Sequence, residues 1–474
     1  MDPSAEANGN LLLRLESLES LLDSLIHPSD TISMVNTNDP SLLPSGNNQF
    51  GQARWLNGIS NHPPQGPAIR DDLDFRVRNR RRSSQKGWTG FLQGAPHIDV
   101  ESQALEAPSK ACYIRKCHPT PSDLFVLWDI FVQNVVPLVK IFHPPTTRKL
   151  FMDAAMCTDL LEPDTEAFMF AIYYSAVNSL ADNQCRVYFQ KSRASLLESY
   201  GSSWKIALGS VSHPDSWSLV VFQGAILFGV CLRESGENSD FESTLISTLI
   251  YAAQKAGLHQ VESGLTHATL DTEIRRRLWW QILLLDIRRA EECGCNPISS
   301  QINFNTRLPL SITETSDLSP DAETGNVEMM FFSMRCQLVD TSRWIYHMAN
   351  GPDDGGWALV AVKRILDTTQ MLGSRYLCHL DPEKPFHWLI MTSTRLMNAK
   401  LWLSLYQLMS LHAKKMAPGA KEQMLSCATE VMKLSNLLQT NASTLQWSWL
   451  SKTYIQQPAT ALLSESDQTS LPAS

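Results

Sequence analysis

No CxxC pair occurs in this chain of 474 residues, and its ten cysteines lie scattered at 112, 117, 157, 185, 231, 293, 295, 336, 378 and 427. Metal centres and disulfide frameworks need thiols at close, repeated spacings, so these are expected to be reduced and mostly buried thiols of an intracellular protein. Cys112-x4-Cys117 and Cys293-Gly-Cys295 have the wrong spacing for a metal pair. Also missing are a GxSxG elbow, a GxGxxG turn after a strand, a phosphate-cradling Walker loop and an HExxH pair, which removes the short motifs that announce catalysis. Without these, the chain is expected not to be an enzyme, and no catalytic or metal-binding residue is assigned.

Long apolar runs are missing as well. The nearest approach, Trp217 to Leu232, is uncharged but holds Gln223, Gly224 and Gly229. A bilayer needs about 20 apolar residues, so this segment is expected to be a buried core helix. The N-terminus opens acidic and polar, unlike a secretory signal. Positive charge is scarce overall: the net charge is −8. A whole surface built to neutralise phosphates is excluded, although a local basic patch is not.

What is present is apolar periodicity. With 43% apolar and 19% charged residues the chain can bury one large core or two moderate ones. Leu11, Leu15, Leu18, Leu22 and Leu25 alternate steps of four and three, the rhythm of a heptad seam, and are dimerisation candidates; a short amphipathic helix packed on its own domain is the other reading. Residues 28–111 are rich in Ser, Asn, Pro, Gly and Asp and read as a disordered linker. Inside it Arg76, Arg78, Arg80, Arg81, Arg82 and Lys86 form the most basic window of the chain. They are candidates for nuclear import or phosphate contact, or simply a solvated charge run, and Ser83 and Ser84 beside them could carry phosphates.

From about residue 112 to 457 the chain reads as helices in series, so the fold class is all-α, with a disordered tail over 458–474. An aromatic helix is expected from Ser122 to Pro137, where proline ends it, with His143 a structural histidine at the following turn. Residues 164–200 read as two helices, followed by helices over 216–233, 241–257, 326–350, 357–376, 387–412 and 420–439. In the 357–376 helix Val360, Ile365 and Leu366 mark one face. Gly257 suits a left-handed C-cap, leaving His259 just past the helix end.

The most particular stretch runs from Asp271 to Arg288. Asp271 and Thr272 are N-cap candidates, Glu273 puts negative charge in the first turn, and no Gly or Pro intervenes before Gly294. Leu278, Ile282 and Leu285, with Trp279 and Leu283, make most of its circumference apolar, so it is expected to be deeply packed. Arg275, Arg276 and Arg277 read as a solvated basic turn pairing with Asp271, Glu273 or Asp286, with a ligand or nucleic-acid contact as the other reading.

The string Glu273, Arg275, Arg276, Arg277, Trp279, Trp280, Leu285, Asp286 resembles the most recognisable segment of the fungal-specific transcription factor domain. That domain is the all-helical regulatory region following the zinc binuclear cluster in many fungal regulators. Three further phrases are similar to it: Asn134-Val-Val-Pro137 with His143-Pro-Pro-Thr146, Ala253-Gln254 with Gly257-Leu-His259, and Asn305-Thr-Arg307-Leu-Pro309. In the last, Asn305 replaces the family's Asp, so a salt bridge to Arg307 is not carried over.

The resemblance implies a multi-helical regulatory domain with a short N-terminal coiled-coil segment at 1–27, located in the nucleus and regulating transcription of a metabolic or secondary-metabolite gene set. It implies action on DNA, directly or through a partner, as a homodimer or as a heterodimer with a zinc-cluster regulator, and it allows a small-molecule effector. The six-cysteine cluster itself does not occur in this sequence, so zinc is expected only if an upstream cysteine cluster exists. A naturally cluster-less member and a start further upstream both remain open. The alternative is a co-regulator that contacts a zinc-cluster protein without touching DNA. Arg275, Arg276, Arg277, Trp279, Trp280 and Asp286 are expected to be structural, fixing the central helix.

Overall fold

A computed structural model of the chain describes residues 114–158, 161–211, 213–232, 239–261, 270–310, 327–351, 356–412 and 420–451, and all of these fall within one compact unit. The leucine seam, the 28–111 segment with its basic run and the 458–474 tail lie outside the described residues. Among the described residues there is no β-strand.

The first helix, α1 (Pro121–Ile130), starts where a local signal is strongest: Thr120 Oγ1 accepts the Asp123 N–H and proline fills the first turn. It does not run on to Pro137. After Ile130 it widens into a π-turn over Phe131–Val135, with the Val136 N–H bonded to the Phe131 carbonyl. Widening leaves main-chain oxygens without helical partners. Two are taken by tryptophans from the far end of the chain: Trp447 Nε1 donates to the Gln133 oxygen at 3.2 Å, and Trp449 Nε1 to the Asn134 oxygen at 3.1 Å.

After α2 (Pro144–Met156), α3 (Pro163–Asn178) is buried on nearly every face from Ala167 onward. Residues 164–200 contain three helices, not the expected two: α3, α4 (Asp182–Phe189) and α5 (Arg193–Ser210). The extra break is at Gln190, whose φ of 56° is left-handed without glycine to mark it in the sequence. Next, α6 (Leu219–Cys231) crosses α3 so closely that a Cβ on Gly224 would stand 3.2 Å from the Phe168 Cα. At its start Ser218 donates to Asp164 Oδ2 at 2.6 Å, pinning the N-terminal ends of α3 and α6 together.

α7 (Ser239–Lys255) ends at Gly257, whose φ of 72° is the left-handed cap expected from the sequence. α8 (Leu270–Cys293) begins one residue before the expected cap, so Asp271 stands in its first turn. It packs against α6, α7 and α9 (Val327–Ala349), and Thr272 to Glu291 is buried throughout except at Arg275. The rest is α10 (Trp357–Arg375), α11 (Pro385–His412), α12 (Ala420–Thr440) and the short α13 (Ser448–Ser451). On α10 the inward face is Trp357, Ala361, Val362, Ile365 and Leu372, while Val360 is 51% exposed, contrary to its expected place on the apolar face.

Candidate functional site

α8 is the element on which α6, α7 and α9 meet, and charged side chains do much of the fixing. Glu273 is wholly buried. Its Oε1 accepts from Arg277 Nε at 3.0 Å and from the Leu310 backbone N–H at 3.1 Å, and its Oε2 lies 3.4 Å from Arg276 Nη1. Burial raises the Glu273 carboxyl above its ordinary pKa, and the Arg277 charge opposes the rise without cancelling it.

The arginine run is therefore only in part the solvated turn that its sequence indicates. Arg275 does pair at the surface with Asp271 (2.7 Å), but Arg276 and Arg277 are buried on Glu273. The reason is the helical register: positions 276 and 277 both follow 273 by one turn and share its inward face.

One turn further, Trp279 is fully buried against Phe304 and His259, with ring centroids 5.6 Å and 5.9 Å away. Trp280 packs on Phe304 as well, and its Nε1 donates to the Arg307 carbonyl at 2.8 Å. Thr306 Oγ1 donates to the Leu258 carbonyl at 2.7 Å, and the Asn305 N–H to the His259 carbonyl. Three phrases that are separate in sequence thus close into one clasp: the Arg and Trp run of α8, the Gly257 cap with Leu258 and His259, and the returning segment 302–310. Asn305 takes part through its main chain, so the family's Asp is not needed for this closure. Burial holds the His259 imidazole below its ordinary range.

Asp286 pairs with none of the three arginines. Its carboxylate accepts the N–H groups of Ile298 (3.1 Å) and Ser299 (2.7 Å), so it caps the 3₁₀ turn after α8; burial raises its pKa. Beyond it, Arg288 donates to the carbonyls of Gly229 (2.9 Å) and Val230 (3.1 Å) and to Glu242. Lys400 on α11 meets Glu291 at 2.6 Å.

Between α6, α8, α9, α11 and α13 lies a cavity of about 40 Å³, lined among others by Gln281, Arg288, Glu291, Arg335, Ser342 and Lys400. Sequence reading missed its charged wall. The available signal was Arg335 itself, a lone cation inside the apolar run from Met329 to Val339. A cation amid residues that are apolar on all faces of a helix is either buried or an error of register.

Chemically, the contacts of this arrangement hold and position helices. Among the described residues no group of three His, Cys, Asp or Glu is placed to hold a metal ion, and the nine cysteines are free thiols. Burial pushes the Cys231 and Cys427 thiols up to about 12, far from a thiolate nucleophile. His143 Nδ1 sits 2.7 Å from Thr146 Oγ1, a local turn contact. No helix among the described residues is long and apolar enough to cross a membrane.

Residues 128–374 match the family model of the fungal specific transcription factor domain, a span that runs from within α1 to the end of α10 and contains α8 whole. The chain is similar to the transcriptional regulator AacuB of Aspergillus aculeatus, 28% identical over 66% of this chain and 43% of the relative. It is also similar to the transcriptional regulator nsrM of Aspergillus novofumigatus, 25% identical over 81% of this chain and 52% of that protein. A third relative is the aurofusarin cluster transcription factor aurR2 of Gibberella zeae, 30% identical over 61% of this chain and 44% of the relative. The chain spans about half the length of these relatives.

Proposed function

The chain belongs to the family defined by the fungal specific transcription factor domain, and from that premise we propose that it is a nuclear regulator of fungal transcription that works by binding, without catalysis. The observation that carries this reading is the coincidence of the family span with the α8 clasp, in which the buried charges and tryptophans all serve to hold helices in place. Relatives named for transcriptional regulation, one of them for the aurofusarin cluster, support a secondary-metabolite gene set as its target.

On this reading the chain divides at the boundaries expected from its sequence. Residues 1–27 pair two chains, or one chain with a zinc-cluster regulator. The 28–111 linker carries Arg76 to Lys86 for nuclear import or phosphate contact. Residues 112–457 are the regulatory domain, open to activators or a small-molecule effector, and 458–474 are a tail. The second reading is a co-regulator that reaches DNA only through a zinc-cluster partner.

A gel-shift titration of the purified chain on promoter DNA, over rising salt and with a zinc-cluster protein as positive control, separates the two. Sequence-selective binding that persists above about 200 mM salt supports direct DNA reading; weak binding lost by then supports the co-regulator. A reporter assay in the nucleus with and without the chain tests the shared claim: unchanged output from every candidate gene set would sink both.

A further inference from the structure

The cavity beside α8 carries an excess of positive charge. Three cations line it, Arg288, Arg335 and Lys400, against one carboxylate, Glu291. Lys400 is matched by Glu291 at 2.6 Å, and Arg288 is matched by Glu242 behind the wall. Arg335 is 3% exposed, and among the described residues its partners are the Leu138 carbonyl, which Nη1 reaches at 2.9 Å, and the Phe331 ring, 5.5 Å from its Cζ. Neither is an anion. A buried charge without a counter-charge carries a desolvation cost, which proteins normally avoid by pairing it.

The neighbouring polar atoms point the same way. Arg335 Nε, Ser342 Oγ and Gln281 Oε1 are all buried without a hydrogen-bond partner in the protein, and all three residues line this cavity. Each side chain is at least nine-tenths buried. A guanidinium N–H and a hydroxyl are donors, and the Gln281 amide can turn to present its NH2. The set is thus a guanidinium edge, a hydroxyl and an amide around one small space.

We propose that this cavity is a binding site for a small planar monoanion of the carboxylate or nitrate class, with Arg335 supplying the charge and Ser342 and Gln281 completing the contacts. Size fixes the class. A single water needs roughly 10–15 Å³ measured in this way, so the volume holds about three or four heavy atoms and no drug-sized effector. Shape fixes it further, because the planar fork of arginine matches a flat, delocalised anion better than a tetrahedral dianion. The occupant would bridge α8 and α9 and reach the side of α11 that carries Lys400, so its binding would be felt by the three longest helices of the core. That regulatory meaning rests on the reading of this domain as a transcriptional regulator; the binding itself does not.

The test is a melting series on the full 474-residue chain in sodium gluconate, whose carboxylate is attached to a chain too long for the cavity, with sodium acetate or sodium nitrate substituted at constant ionic strength. The expected result is a saturable rise in Tm of about 2–4 °C with at least one of the two, and the arm that responds identifies the source of the anion. Arg335→Met should melt at or above the wild type in gluconate and show no rise, because it removes the buried charge while keeping its volume. Ser342→Ala should retain the rise with its half-saturating concentration raised about tenfold. If Arg335→Met does not fold, Ser342→Ala decides alone. A flat response to both salts, or a rise of the same midpoint in the folded variants, overturns the site; either outcome leaves the gel-shift and reporter tests of the transcriptional reading untouched.

Discussion

Lys400 and Glu291 form a buried ion pair between α11 and α8, Nζ to Oε2 at 2.6 Å, with side chains only 5% and 7% exposed. Breaking such a pair from one side leaves the other charge uncompensated in the core. Lys400→Met is therefore expected to cost about 3–5 kcal/mol of stability, and the double variant Lys400→Met/Glu291→Leu about 2 kcal/mol less than that single change. Urea unfolding of the two single variants and the double variant measures the coupling. A double variant no more stable than Lys400→Met would show that the pair does not behave as a unit.

Trp280 is 3% exposed and gives its indole N–H to the Arg307 carbonyl. Trp280→Ala is expected to lose about 3–5 kcal/mol. Trp280→Phe, which keeps most of the packing and drops the hydrogen bond, should lose about 1–3 kcal/mol less than that. A soluble and fully stable Trp280→Ala protein would contradict the clasp.

Asp286 makes a pH prediction whose sign follows from its burial. Its folded-state pKa is raised, mainly by desolvation, so the folded chain binds this proton more tightly than the unfolded chain does. The contribution is fully present below the ordinary carboxylate pKa and is lost as pH rises through the raised one. Asp286→Asn has no such titration. Denaturation midpoints between about pH 4 and pH 7 should show the wild type losing ground to the variant as pH rises; a parallel pair of curves would refute this account.

Gly224 stands where α6 crosses α3, and a methyl group there would meet the Phe168 backbone at 3.2 Å. Backbone yields less readily than a side chain, so Gly224→Ala is expected to destabilise by about 1–3 kcal/mol despite alanine's better helix propensity. A thermal melt suffices, and a gain in Tm would show that the crossing has slack.

Much of the fold could be read from the sequence because long helices announce themselves by period and by what stops them. The ends of α9, α10, α11 and α12 fall within two residues of the expected spans, and Gly257 ends its helix as a left-handed cap. Where the reading departs from the structure, the cause is tertiary. The left-handed turn at Gln190 carries no glycine, so α4 and α5 fused in the sequence pattern. Val360 is apolar yet faces out, because the neighbours of α10 cover only the stripe through Ala361 and Ile365. Arg276 and Arg277 look solvated in sequence and lie buried, since only the fold reveals Glu273 beneath them. The charged wall of the cavity was illegible for the same reason: Gln281, Arg288 and Glu291 lie on one helix, but Arg335, Ser342 and Lys400 come to them from two others.

The tryptophans that plug the π-turn carry a consequence for how the chain is made. Asn134 and Gln133 emerge from the ribosome more than 300 residues before Trp449 and Trp447, which cover their carbonyls. Until those last residues are released, the Asn134 carbonyl lacks the indole N–H that meets it in the buried interior of the finished domain. A nascent chain of this length with its closing contacts delayed to the end is a natural client for chaperones during synthesis. A message cut short before Trp447 would yield a product that has most of its helices and neither of the indole donors to the π-turn.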